Sequence, residues 1–510
     1  MTNIVERFFA VAQEVGNKPL LIEDGQVRLR YDALEPATAS LAERLTGYGA
    51  QLGDRIVVQV EKSAEAVLLY LAALRAGLVY VPLNTSYTAE ELRYFIEDAE
   101  PRVIVCDPAD GPAMERMAGH ATCRVLTLGP RGEGSLMQGL RPAEERATAA
   151  RNDDDLACIL YTSGTTGRSK GAMLSHDNLA SNALTLDELW RWQRDDVLIH
   201  ALPIYHVHGL FVALHGALLA GATILFHPRF DPARVIADLP RASVFMAVPT
   251  QYVRLLDQPG LDRRACAGMR LFTSGSAPLL AETHERFAEQ TGHRILERYG
   301  MTEAGMIASN PYAGARIAGT VGFPLAGVEV RIADDRGRPV APGEKGVLEV
   351  RGPNVFKGYW RNPEKTAQEF RSDGFFVTGD VAEMDGEGRI TLVGRAKDLI
   401  ISGGLNIYPK EIEMLIDEFP GVGETAVIGV PHRDFGEGVV AVVTPAPGAS
   451  GLTEEAIVAS LDGRLARYKH PKRVVLVPEL PRNVMGKVQK AELRRAYAQL
   501  LLPGELESPR

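Results

Sequence analysis

The sequence predicts an α/β protein, with a large N-terminal domain of several sheets followed by a small C-terminal α+β domain. Three observations predict it. Short apolar runs alternate with helical patterns as far as about residue 328, the texture then turns β-rich, and a compact mixed pattern closes the chain. At 510 residues the chain exceeds what one hydrophobic core serves, so more than one domain is expected.

The elements follow in order. DRIVVQV is strand-like, and a helix spans Ser63–Arg75. The runs VYVPL, RVIVCD, LACILYTSG, ATILF, SVFMAVPT and MRLFTSGS read as buried strands between helices, the pattern of largely parallel sheets. VEVRIADDRGRPV forms a hairpin around Asp335-Arg336-Gly337, and GVLEVRG, FFVTGD and RITLVG follow it. A further shift at Gly394–Ile401 marks the domain boundary, giving residues 1–394 and 395–510. The second domain carries a helix over Lys410–Phe419, the strands ETAVIGV, GVVAVVTP and RVVLV, and a helix opened by Thr453.

Composition narrows the function. A net charge of -9 suits a soluble cytoplasmic enzyme and gives no support to a nucleic-acid partner. Cys106, Cys123, Cys158 and Cys266 lie far apart without a CxxC pair, which argues against a disulfide framework or zinc site. The N-terminus lacks a secretory apolar core. The most membrane-like run, His208–Phe226, is broken by His215, Gly216 and Gly221 and reads as a buried helix followed by a strand, so no membrane partner is expected.

The first chemical signal is YTSGTTGRSKG after the strand LACIL. Gly164 and Gly167 let the backbone approach a ligand closely. Thr162, Ser163, Thr165 and Thr166 supply hydroxyls, and Lys170 supplies a point charge. These suit a polyphosphate. The order GTTGRSKG is not a Walker loop, which needs lysine directly after the second glycine. Taken by itself the segment also fits a solvent-exposed Ser/Thr/Gly turn.

The loop is joined in order by ERYGMTE (297–303), TGD (378–380), GRAKDLI (394–400), ISGGLNIYPKEIE (401–413) and PRNVMGKVQK (481–490). Together these resemble the adenylate-forming superfamily of acyl-CoA synthetases, nonribosomal peptide adenylation domains and luciferases, over nearly the whole chain. The resemblance implies an active site between a large domain and a lid that rotates near Lys397 and Asp398. It also implies ATP, Mg²⁺ and coenzyme A as co-substrates. Lys487 resembles the lid lysine bridging carboxyl and α-phosphate oxygens, and such lysines are acetylation targets in some relatives. Thr302 and Glu303 resemble the residues holding α-phosphate and magnesium, with Thr162 as a second magnesium oxygen. Tyr299, with Gly300 and Met301, resembles the adenine platform. Asp380 and Arg395 resemble the ribose partners, and Gly403 and Gly404 the lining of a pantetheine tunnel.

For the acid, PIYHVHG places His206 at the family's gate, VPTQYVRLL places Arg254 on a helix facing the site, and FTSGSAPL contributes Ser274. Met301 and Met306 supply bulky walls. An arginine there suits a second carboxylate, which it grips bidentately. The pattern resembles malonyl-CoA synthetases, which turn malonate, ATP and coenzyme A into malonyl-CoA, AMP and pyrophosphate. Several accept methylmalonate. The chain departs from many bacterial members at Ala304, Gly305 and Ile307. Ligases for other small acids, stand-alone adenylating enzymes and luciferase-like oxygenases share the adenylation motifs and remain alternatives. Oligomeric state is not encoded in any of these motifs.

Overall fold

The computed structural model describes residues 3–119, 123–140, 143, 147–162, 169–402, 405–432, 435–449, 451–465, 467–483 and 486–502. It is an α/β protein, as the strand–helix alternation predicts. By contact the chain divides into two compact units, Met1–Val330 with Val350–Phe376, and Arg331–Glu349 with Val377–Arg510. The division falls ahead of the boundary at 394. Residues 377–394 group with the later unit because Thr378 Oγ1 donates to Leu348 O (2.8 Å) and Gly343 N donates to Met384 O (2.8 Å).

The first unit holds two large sheets. One has six strands in the order Arg124–Thr127, Val103–Cys106, Arg55–Gln59, Val79–Pro82, Leu156–Thr162, Lys170–Ser175. All neighbours are parallel except the last pair. The other has nine strands, and Pro19–Glu23, Thr223–Phe226, Val197–His200, Val244–Ala247, Leu271–Ser274 and Leu296–Met301 run parallel at its centre. Most of these strands are predominantly apolar, as strands covered on both faces are, and Val244–Ala247 is buried throughout. Phe245, Phe272, Phe287 and Tyr252 pack edge to face beside it. The helix Ala64–Arg75 begins where Ser63 Oγ accepts from Ala66 N (3.1 Å), and every residue in it but Glu65 is buried.

The parallel strands point their carboxyl ends to one edge, where ligands bind in open α/β sheets. The segments after Val197–His200, Leu271–Ser274 and Leu296–Met301 all emerge there. Between them, 208–220 is helical as predicted, but Gly209–Leu214 is wound as a π-helix from His208, changing to α-helix at His215–Ala220. Extra-wide turns of this kind concentrate at functional sites.

In the second unit, Phe376–Met384 and Ile390–Arg395 pair antiparallel. Leu405–Ile407, Ile400–Ser402, Gly436–Pro445 and Val422–His432 form a sheet, with Arg473–Leu476 parallel to Gly436–Pro445. Ile412, Ile416, Ile457 and Leu461, from the helices Pro409–Asp417 and Glu454–Ser460 and the residue following, cover one face. Leu493 of the helix Lys490–Ala496 packs on the other. Among the described residues no helix is long and apolar enough to cross a membrane.

Candidate active site

The phosphate-loop segment is pinned at both ends. Leu156–Thr162 and Lys170–Ser175 pair antiparallel with Thr162 directly opposite Lys170, so the loop's ends are cross-strand partners. Ser163, Gly164, Thr165, Thr166 and Gly167 lie outside the described residues, as do Gly403 and Gly404 of the expected pantetheine tunnel. The Lys170 ammonium is 3.4 Å from Glu369 Oε1 and 4.9 Å from the centroid of the Tyr359 ring.

Tyr359 links this lysine to Glu303. Its hydroxyl is 2.6 Å from Glu369 Oε2 and 3.2 Å from Glu303 Oε1. Burial, then the Glu303 and Glu369 charges, raise the phenol's pKa, so it stays protonated. Burial works against the Glu369 charge, but hydrogen bonds from Lys365 and Tyr359 with the Lys170 charge prevail and hold the pKa below the usual range. One phenolic proton cannot serve two carboxylates at once, and the shorter contact takes it. Glu303, itself buried, then faces the phenol's lone pairs, an electron-rich corner that favours a cation. Magnesium takes one or two protein oxygens and fills its other positions with phosphate and water. The hard oxygens of Glu303 and of the Thr162 hydroxyl fit that demand. Among the described residues no cluster of three or more His, Cys, Asp or Glu forms an all-protein cage.

Next to Glu303 the strand Leu296–Met301 turns back into Gly305–Ser309, with Gly300 opposite Met306 and Met301 opposite Gly305. Tyr299 is buried, and Met301 and Thr302 are half-buried. A Cβ on Gly300 would collide with the Gly305 carbonyl, so the hairpin requires glycine there. The Asn182 amide clamps Met306, donating to its carbonyl (2.8 Å) and accepting from its N–H (3.0 Å).

On another side of the site lie polar groups that have no hydrogen-bond partner among the described residues. Ser274 ends its strand fully buried, and among the described residues its Oγ has no hydrogen-bond partner. His208 is 1% exposed, with Nδ1 3.4 Å from Ser276 Oγ and Nε2 without a hydrogen-bond partner among the described residues. Ser276 sits at φ 71°, a left-handed conformation that costs a non-glycine residue energy and recurs at binding sites. Beside these residues lies Arg298, 2% exposed, whose Nε and Nη2 find no hydrogen-bond partner among the described residues. A Cβ on Gly275 would run into this guanidinium. Desolvation pulls the Arg298 pKa down to about 9, the Tyr252 oxygen opposing. It also holds His208 well below the ordinary imidazole value, helped by Arg298, His206 and His200. The Arg298 charge therefore faces an imidazole at His208 whose own protonation is disfavoured. His206 is half-buried and accepts from His208 N at Nδ1 (3.3 Å).

Arg254, expected to face the acyl site, is exposed on the helix Pro249–Leu256. The helical repeat explains this: Tyr252 and Leu255 turn into the core, and a residue two places from Tyr252 falls on the opposite face. Arg298, His208, Tyr359 and Glu369 were not singled out from the sequence. For Arg298 a signal existed, since a charged residue inside a central strand needs a partner or a ligand.

In the second unit, Asp380 and Arg395 are cross-strand partners, with Arg395 Nε 2.6 Å from Asp380 Oδ1. Lys487 follows a tight turn in which Asn483 N donates to Lys487 O (2.9 Å) and Lys487 N donates to Asn483 Oδ1 (3.0 Å). Packing around the ammonium, then the charges of Arg395 and Lys397, lower the Lys487 pKa against Asp380 and Asp398. The side chain nonetheless reaches solvent, which screens these charges, so the lowering is modest. Asp380, Arg395, Lys397, Asp398 and Lys487 thus share one electrostatic neighbourhood. Asp398 in the short 3₁₀ turn Ala396–Asp398 is 2.6 Å from Arg494 Nη2.

The profile of the AMP-binding enzyme family matches residues 8–360, and that of the AMP-binding enzyme C-terminal domain matches 411–487. Bovine (Bos taurus) mitochondrial malonate–CoA ligase ACSF3 is 38% identical over 89% of this chain and 83% of its own. A feruloyl-CoA synthase of an Amycolatopsis species is 37% identical over 93% of this chain and 95% of its own. The crystal structure of ATP-bound MatB from Rhodopseudomonas palustris superposes with a TM-score of 0.95 at 52% identity, covering 98% of this chain and 100% of that one.

Proposed function

Because the chain belongs to the AMP-binding enzyme family, with relatives that include malonate–CoA ligases, we propose that it joins malonate to coenzyme A at the expense of ATP. A malonate carboxylate oxygen attacks the α-phosphorus, the bond to the β-phosphate oxygen breaks, and pyrophosphate leaves. The thiolate of coenzyme A then attacks the acyl carbon of malonyl-adenylate and expels AMP. The observation that carries the choice of acid is the buried Arg298 guanidinium, whose Nε and Nη2 have no hydrogen-bond partner among the described residues, with Ser274 and His208. A monocarboxylic acid offers nothing to such a charge. The distal carboxylate of a small dicarboxylic acid supplies the missing acceptor for two N–H groups, with hydroxyl and imidazole beside it. Arg254, on the exposed face, is the second candidate for that grip.

The remaining assignments are proposals of the same reading. Lys487 bridges the attacking carboxyl and α-phosphate, and its acetylation would remove the charge. Thr162, Ser163, Gly164, Thr165, Thr166, Gly167 and Lys170 cradle the phosphates, with Thr302 on the α-phosphate. Magnesium, held by Glu303 and Thr162, would neutralise phosphate charge. Tyr299, Gly300, Met301, Asp380 and Arg395 hold the nucleoside, His206 gates the acyl site with Met306 as its wall, and Gly403 and Gly404 line the thiol arm's path. The hinge at 395–398 divides the catalytic domain 1–394 from the lid 395–510. Methylmalonate is accepted where Met306 leaves room for a methyl. Four free cysteines suit a reducing, cytoplasmic setting.

The test is pyrophosphate release with malonate, methylmalonate, acetate, butyrate and ferulate, with coenzyme A present and absent. Malonate should lead the panel by at least tenfold in kcat/KM. A preference for butyrate or ferulate would overturn the assignment.

A further inference from the structure

Beneath the acyl side lies a buried cluster that this reaction scheme leaves unused: Lys62, His200, His227 and Asp238. Lys62 is 8% exposed and has no carboxylate within ion-pair distance among the described residues. Its Nζ lies 2.8 Å from His200 Nδ1, 2.8 Å from His200 O and 2.7 Å from His227 O, and 4.4 Å from the centroid of the Phe226 ring. On the far side of the imidazole, His200 Nε2 is 2.9 Å from Gly209 O.

Proton counting gives the tautomer and favours an ammonium, against the burial that pulls the Lys62 pKa well below its ordinary value. A carbonyl only accepts, so Nε2 must carry the His200 proton and donate to Gly209. Nδ1 then accepts, so Nζ faces three acceptors, and only an ammonium has three N–H groups to give them. The ring contact is a second home for that charge.

We propose that Lys62 is a positioning residue for the acid-binding segment. By holding the tautomer of His200, it makes that histidine fasten Gly209, and with it the turn that carries His206 and His208. The covalent path supports this. Lys62 lies between the strand Arg55–Gln59 of the six-stranded sheet and the helix Ala64–Arg75, while His200 and His227 close two neighbouring strands of the nine-stranded sheet. The ammonium therefore ties one sheet to the carboxyl edge of the other, directly before the His206–Gly209 turn. At Gly209 the fit is close: a Cβ would overlap the Pro203 carbonyl. The bond from His200 consequently fixes where the π-helical turn starts, and with it the direction of His208.

The inference rests on the acyl-site reading above and sharpens it, and a pair of substitutions separates the two. Glutamine places its amide N–H where Nε2 stands and keeps the Gly209 bond. Asparagine places its oxygen where Nδ1 stands, keeps the Lys62 bond and loses Gly209. The wild-type protein is measured first, to find the acid it turns over best. KM for that acid and for ATP, with kcat, are then measured for H200Q, H200N and K62M by pyrophosphate release. We expect H200N and K62M to raise KM for the acid ~10-fold, about one hydrogen bond's worth, with KM for ATP within about twofold. H200Q should stay closer to wild type. The ring ¹⁵N shifts of His200 report the tautomer directly, as Nε2–H in the wild type and altered in K62M. Equal KM values for H200Q and H200N, or an unchanged tautomer in K62M, would overturn the proposal. A wild type that prefers another acid would refute only the malonate assignment, because the variant comparison uses whichever acid is preferred.

Discussion

Replacing Arg298 by methionine should have two opposite effects. The guanidinium is buried, its Nε–H and Nη2–H are unused within the described fold, and its charged form is disfavoured enough to bring the pKa to about 9. Two charge-assisted hydrogen bonds to a ligand carboxylate, at about 1.5 kcal/mol each, amount to about 3 kcal/mol, or roughly 10²-fold in kcat/KM. R298M should therefore lose malonate activity by about that factor while acetate activity changes little. In the absence of substrate the same substitution removes a buried charge that the described fold does not pair, a burden of at most ~5 kcal/mol. The sign follows from linkage. A folded pKa below the unfolded one means the folded form resists the proton, so the burden is fully present below pH 9 and relieved only above it. At pH 7.5, R298M should melt higher than wild type without ligand, and malonate should raise the melting temperature of wild type alone. Scanning calorimetry with pyrophosphate-release kinetics decides the matter. An R298M protein that melts lower, or that keeps its malonate preference, would refute the argument.

Lys487→Ala should abolish malonate-dependent pyrophosphate exchange yet leave thioesterification of supplied malonyl-adenylate near wild type; normal exchange would remove the lysine from the first half-reaction. Acid should weaken the first unit, because burial brings His176 to about 4 and His215 to about 3. Both bind protons more readily when unfolded, so stability falls as pH drops below the ordinary imidazole value, by about 2 kcal/mol each at pH 5. H215Q should flatten the dependence of melting temperature on pH. Gly300→Ala should cost ~1–3 kcal/mol through its clash with the Gly305 carbonyl, and should raise KM for ATP more than KM for the acid.

Much of this was legible in the residues. Thr453 caps its helix where its hydroxyl suggested, the helix from Ser63 starts as expected, and the apolar runs became the parallel strands. The motifs separated in sequence as TGD, GRAKD and GKVQK come within electrostatic reach of one another at Asp380, Arg395 and Lys487. Arg254 takes the exposed face of its helix for a geometric reason. VPTQYVRLL reads as a helix with an arginine, but only the three-dimensional phase shows that Tyr252 and Leu255 take the buried face. Arg298 lay inside the quoted motif ERYGMTE and was passed over because its neighbours already had roles. Lys62 and His200 could not be paired beforehand, since their contact joins two sheets across 138 residues of chain.

The overlap between a Cβ at position 275 and the Arg298 guanidinium bears on descent. An ancestor with any side chain at 275 could not have seated an arginine at 298 in this pose, so the order of substitution is constrained: the small residue first, the charge second. Converting a relative to accept a dicarboxylic acid by importing the arginine alone should fail wherever the glycine is missing, and the paired change should succeed.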